Sequence, residues 1–230
     1  MTLYFLSTLL ASILMLDVTY IGQFMLSEPI FMLPLLGVIS GRPEDGILAG
    51  MNLEFVFLGR LAVGASIPPS AGFAAAVFWG AALLGREGAE WYLPALFFPA
   101  LIAGYWGREI DHLFRKLHNG WSESAFTSFA RSGRYARFFR YGALSTLLFV
   151  LANWVSILLL SWGIHKGTHL LSSFWKEAFH GAYVAMIWRG LPVMGALFLL
   201  DRFNDKKNNG YLIGGIAGGL LMGGVLWAIS

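Results

Sequence analysis

The stretch YGALSTLLFVLANWVSILLLSWGI, Tyr141–Ile164, carries no formal charge from end to end. An α-helix needs about 20 predominantly apolar residues to cross a hydrocarbon core about 30 Å thick. Two further charge-free stretches of that order, Leu61–Gly85 and Tyr211–Ser230, lie on either side. A spanning β-barrel would need alternating apolar and polar residues, and runs such as Ile157–Leu160 do not alternate. The whole composition agrees: 57% of residues are hydrophobic and 13% charged, against roughly a quarter charged in soluble domains. The chain reads as an all-α, polytopic membrane protein, with residues 1–230 forming a single membrane domain. Met1–Leu16 is apolar from the start and runs into Asp17 and Tyr20, so it reads as a retained first helix rather than a cleaved signal.

Charge distribution orients the spans. Seven of the sixteen lysines and arginines fall in 107–140: Arg108, Arg115, Lys116, Arg131, Arg134, Arg137 and Arg140. Arg202, Lys206 and Lys207 form a second group. Basic loops stay on the cytoplasmic side, which makes 107–140 a basic cytoplasmic segment and places His165–Glu177 on the opposite face. Arg108–Leu117 continues a helical pattern. Ser124–Phe139 mixes Phe126, Phe129, Tyr135, Phe138 and Phe139 with basic residues, the pattern of an amphipathic helix lying at the headgroups. The segment suits either anionic lipid or a soluble partner. Nothing in the +3 net charge calls for nucleic acid, and the absence of cysteine excludes thiolate chemistry and disulfides within the chain. One histidine pair, His165/His169, has helical ligand spacing, but it sits at a predicted helix end; neither a metal nor a cofactor is expected.

The segment 17–76 departs from simple spanning helices. Ile30–Ile39 and Ile47–Leu58 are short apolar pieces around the turn Gly41-Arg42-Pro43-Glu44-Asp45-Gly46. Pieces of that length reach only about 15–18 Å as helix, half a bilayer. Pro68-Pro69 then interrupts another apolar stretch, because proline lacks a donor and clashes with the preceding turn. Broken helices at membrane depth are tolerated where they are buried or line a cavity, and they point to transport sites. A hairpin and broken-helix architecture is therefore expected. Pro34–Gly37 with Gly46–Gly50 is echoed by Pro192–Gly195 with Gly210–Gly214, the trace of an inverted repeat.

Within this segment Glu54 and Asn52 are polar residues in apolar surroundings. A charge at the bilayer centre costs about 2.5–3.5 kcal/mol on insertion scales. Glu54 has two readings, a hydrogen-bond acceptor for sugar hydroxyls or an ion-pair partner of Arg60. Gln23 is a further candidate hydroxyl ligand. Asp17 and Arg189 read as structural or ion-pair residues. The nine tryptophans and eight tyrosines read mostly as interface belts.

The order and spacing of Gln23–Pro29, Pro34–Gly41, Gly46–Gly50, Leu53-Glu54-Phe55, Leu58-Gly59 and Val63–Pro69 resemble the IIC subunit of mannose/fructose/sorbose-family phosphotransferase-system permeases. The resemblance covers about Asp17–Ala76. It implies a bacterial inner-membrane IIC component that binds and carries a hexose-type sugar. It also implies a IID membrane partner, an oligomer in the form of a trimer of IIC–IID pairs, and soluble IIA and IIB proteins that supply the phosphoryl group. This chain would hold no phosphoryl group and no catalytic residue. Carried over by position, the sugar-facing candidates are Gln23, Asn52, Glu54, Ser66, Pro68, Pro69 and Ser70. Two positions depart from the family pattern: Ser70 stands where an acidic residue is common, and Asn52 where threonine is usual. The alternatives are a transport-inactive regulatory or scaffold subunit and an unrelated small-solute transporter.

Overall fold

The computed structural model describes residues 1–19, 22, 24–57, 68–85, 91–132, 135–178 and 187–191. The chain divides into two compact units, Met1–Trp188 and Arg189–Ser230. The second unit is described only at 189–191, as helix. Among the described residues every regular element is helical. The first unit contains α1 (Thr2–Leu14), α2 (Leu16–Thr19), α3 (Pro29–Ile39), α4 (Pro43–Phe57), α5 (Ala71–Leu84), α6 (Tyr92–Ser132), α7 (Tyr135–Leu170) and α8 (Ser172–Ala178).

The expected half-bilayer hairpin is present as α3 and α4. Pro29 opens α3 at a position where a missing N–H costs nothing. Gly41, at φ 71°, makes the turn, and Pro43 opens α4. The two helices approach closely because glycines face the contact. A Cβ on Gly46 would lie 2.4 Å from the Leu33 carbonyl oxygen, and one on Gly50 would lie 2.7 Å from that of Pro29. Small residues four apart are the usual device for close helix contact in membranes. Arg42 fixes the tip: it pairs with Asp45 at 2.7 Å and donates to the Ala82 carbonyl at 3.3 Å.

Helix α5 is the centre of the unit. Every residue from Ala71 to Ala82 is buried, as expected of a helix that is apolar all round. It touches α1, α3, α4, α6 and α7. Its 14 residues rise about 21 Å, less than the hydrocarbon thickness. Gly80 lets α1 and α7 in: a Cβ there would meet Ser161 Cβ at 2.9 Å and Thr8 Cγ2 at 3.2 Å. Around that point runs a hydroxyl seam. Tyr4 donates to the Leu158 carbonyl at 2.9 Å and lies 2.8 Å from Ser161 Oγ, while Trp154 donates to Thr8 Oγ1 at 3.2 Å.

Phe139–Leu170 is long and apolar enough to cross a membrane; the other apolar helices among the described residues, Thr2–Leu14, Pro29–Ile39 and Ala71–Leu84, are shorter. The basic segment differs from its expected form. Rather than a separate surface helix, α6 runs unbroken from Tyr92 through Ser132. Its 41 residues rise about 61 Å, twice the hydrocarbon thickness. No proline follows Pro99 in it, and α7 supports it laterally, with Phe114 edge-on to Phe149 at 5.5 Å and His118 Nδ1 3.2 Å from Ser145 Oγ. The second half of the expected repeat, Pro192–Gly214, lies outside the described residues.

Candidate functional site

Three chain breaks meet at one place in the first unit: the approach to α3, the end of α4 and the start of α5. Asp17, at the end of the first helical stretch, organises the first of them. Asp17 is 4% exposed, and its carboxylate accepts from the Phe24 amide at 2.7 Å and the Leu26 amide at 2.8 Å. This holds Met25 at φ 66°, a conformation L-residues rarely adopt. The Glu28 amide donates to the Met25 carbonyl at 3.0 Å and delivers the chain into α3. Asp17 therefore acts on backbone amides, a local role that its sequence surroundings did not disclose.

Glu54, near the end of α4, reaches the first turn of α3. The Ile30 amide donates to Glu54 Oε2 at 3.3 Å. A carboxylate there is favoured by the exposed N–H groups and the positive end of the helix dipole. Glu54 shares the α3-facing side of its helix with Gly46 and Gly50, at four-residue intervals. Arg60, its expected ion-pair partner, lies outside the described residues, as do Gln23 and Ser66.

The third break is Pro68-Pro69-Ser70. Ser70 is the N-cap of α5: its Oγ accepts from the Phe73 amide at 3.3 Å, and its own amide donates to the Gly104 carbonyl at 2.9 Å. The Ser70 side chain thus serves a helix N-terminus, which both serine and aspartate do well. Close contacts tie this break to the others. A Cβ on Gly72 would lie 2.5 Å from the Ser27 carbonyl oxygen, and one on Gly104 would lie 3.2 Å from the Phe57 ring.

Asn52 is not part of this cluster. Two residues along a helix turn a side chain by about 200°, so Asn52 and Glu54 leave α4 on opposite sides. Asn52 is buried and donates from Nδ2 to the Trp188 carbonyl at 3.0 Å, while its Oδ1 is buried with no hydrogen-bond partner among the described residues. The Trp188 ring stacks on Phe78 at 6.3 Å and stands edge-on to Phe97 at 5.4 Å. Arg189 is the first residue of the second unit.

Sequence reasoning also missed the contact of Tyr92 with His165. These residues are far apart in the chain, and no local pattern announces it.

Short hairpin helices, a fully buried central helix and a carboxylate at a helix N-terminus fit a helical membrane transporter of the broken-helix class. The sequence matches the family of sorbose-specific IIC components of the phosphotransferase system over residues 1–229, and the chain belongs to that family. It is a membrane-embedded IIC component of a phosphotransferase-system sugar permease. Solved structures share the fold. One, described only as a membrane protein, has 16% sequence identity and a TM-score of 0.67, covering 99% of this chain and 91% of the other. The second is a cryo-electron microscopy complex of the mannose transporter ManYZ with microcin E492 (MceA), at 17% identity and a TM-score of 0.58 with the same coverages. No curated protein matches the chain by sequence.

Proposed function

We propose that the chain carries a hexose-type sugar across the bacterial inner membrane in complex with a IID membrane subunit. Soluble IIA and IIB proteins act at its cytoplasmic face, and IIB phosphorylates the sugar. Family membership supports the assignment. The observation that carries the site is the Glu54 carboxylate at the α3 N-terminus, held by the Ile30 amide at 3.3 Å, with the start of α5 packed on the Ser27 carbonyl that leads into α3. Helix N-termini and a carboxylate offer donors and an acceptor in one place, which is what a polyol needs.

In this reading Glu54 accepts from sugar hydroxyls, with Gln23, Ser66 and the Pro68-Pro69 turn as further candidate contacts, while Ser70 acts as the α5 cap. Asn52 contributes indirectly, by holding the Trp188 backbone. The IID pairing is supported by the fold shared with the mannose transporter ManYZ complex. The Ser70 departure does not favour the transport-inactive alternative, since Ser70 caps α5 as an acidic residue would.

The test is equilibrium binding of radiolabelled sugars to the purified IIC–IID complex, comparing wild type with Glu54→Gln. Exchanging charge-assisted hydrogen bonds for neutral ones costs about 1–2 kcal/mol, which is roughly a tenfold loss of affinity. Unchanged affinity in Glu54→Gln would remove Glu54 from the site and leave it as a cap of α3.

A further inference from the structure

At the end of the unit where α5 finishes and α6 begins, three helices meet through Tyr92. Its hydroxyl donates to the Ala81 carbonyl of α5 at 2.8 Å and lies 2.7 Å from His165 Nδ1 of α7. A phenol has one proton to give. With that proton committed to Ala81, the Tyr92 oxygen accepts from His165, so Nδ1 carries the hydrogen and Nε2 carries the lone pair. Gly85 makes room for the ring, since a Cβ there would overlap it.

One turn further along α7 stands His169, which is exposed, while His165 is partly exposed. The two imidazole centroids are 5.1 Å apart at an interplanar angle of 66°. Two imidazoles ligating one ion through nitrogen at about 2.1 Å, with a tetrahedral angle between them, place their ring centroids about 5 Å apart. The observed ring separation of 5.1 Å agrees with that spacing. Histidines four apart on one helix face are a recurrent ligand pair for zinc. A metal-bound histidine also needs its other nitrogen to donate to an oxygen, which orients the ring and fixes the tautomer. Tyr92 meets that need for His165.

We propose that His165 and His169 form a two-histidine site for a borderline divalent transition-metal ion, Zn²⁺, Cu²⁺ or Ni²⁺, with Tyr92 as the residue that positions His165. Imidazole pairs suit these ions rather than Mg²⁺ or Ca²⁺, which take oxygen ligands. Among the described residues no group of three or more ligating side chains is present, so of these residues the histidine pair alone supplies ligands. The pair lies in the segment 165–177, on the membrane face opposite the basic segment, where an ion outside the cell reaches it without crossing the bilayer. The site is separate from the helix breaks around Glu54 and does not depend on which sugar is carried.

The test uses the full chain purified in detergent. Zn²⁺ titration by calorimetry is expected to show one saturable equivalent per chain. His169→Ala and His165→Ala each weaken it by about tenfold or more, and Tyr92→Phe by about 10–100-fold. Cu²⁺ gives a readout that a merely structural role would not move: nitrogen hyperfine structure from two imidazoles in wild type and from one in His169→Ala. His169 is exposed, so its replacement leaves the fold intact. Absence of saturable Zn²⁺ binding in the wild-type chain would overturn the proposal. So would a His169→Ala variant that binds Zn²⁺ as wild type does, because the ion would then be held elsewhere.

Discussion

Replacing Gly46 by alanine tests whether backbone contact between α3 and α4 sets the hairpin. The added Cβ would lie 2.4 Å from the Leu33 carbonyl oxygen, 3.1 Å from the Leu33 carbonyl carbon and 3.0 Å from the Gly37 Cα. All three are backbone atoms, so no side-chain rotation relieves the clash. The helices must separate by the better part of an ångström, which also loosens the contacts at Gly37 and Gly50. Overpacking of this kind costs about 1–3 kcal/mol. Alanine returns up to about 1 kcal/mol of helix propensity, less here because Gly46 lies in the first turn of α4. The net expectation is a loss of about 1–2 kcal/mol, or roughly 2–8 °C in Tm for a chain of this size. Gly120, inside α6, is the control: nothing lies within 4 Å of its Cβ position. Gly120→Ala should gain up to about 1 kcal/mol from propensity alone. Thermal unfolding of the detergent-purified variants reads both. If Gly46→Ala melts at or above Gly120→Ala, backbone contact between α3 and α4 does not set the hairpin.

Two further substitutions separate scaffold from site. Asp17→Ala removes the acceptor of the Phe24 and Leu26 amides. It should destabilise by about 2 kcal/mol and expose 24–28 to limited proteolysis, while Asp17→Asn, which keeps one acceptor, loses about half as much. Ser70→Ala should cost about 1 kcal/mol as a lost N-cap. Ser70→Asp should match or exceed wild-type stability and retain sugar binding, and a Ser70→Asp complex unable to bind sugar would show that Ser70 does more than cap α5.

Much of the hairpin was legible because glycine and proline act locally. Gly41–Pro43 had to end one helix and begin another, and Pro68-Pro69 had to stop any helix before Ala71. The ends of α3 and α4 accordingly fall within a few residues of the apolar pieces in the sequence. The α6 helix was less legible. Its polar C-terminal half resembles a surface helix by composition, and only contacts such as Phe114 with Phe149 show why it continues. The separation of Asn52 from Glu54 follows from helical geometry, once α4 is known to be continuous through both. Asp17 binding amides seven and nine residues ahead depends on a left-handed Met25 that no residue-type preference foretells. Tyr92 meeting His165 is a purely tertiary event.

The measurement that bears most directly on the central claim is sugar phosphorylation by membrane vesicles containing this chain and a IID subunit, loaded on the inside with IIA, IIB and phosphorylated general phosphocarrier. The account predicts sugar phosphate accumulating inside vesicles only when this chain and IID are both present, at a rate reduced by Glu54→Gln. Phosphate-donor-independent uptake driven by a proton gradient would contradict it and point to a different kind of transporter. A correctly assembled IIC–IID complex that supports neither would contradict it too, leaving a membrane scaffold that has kept the fold and lost the transport.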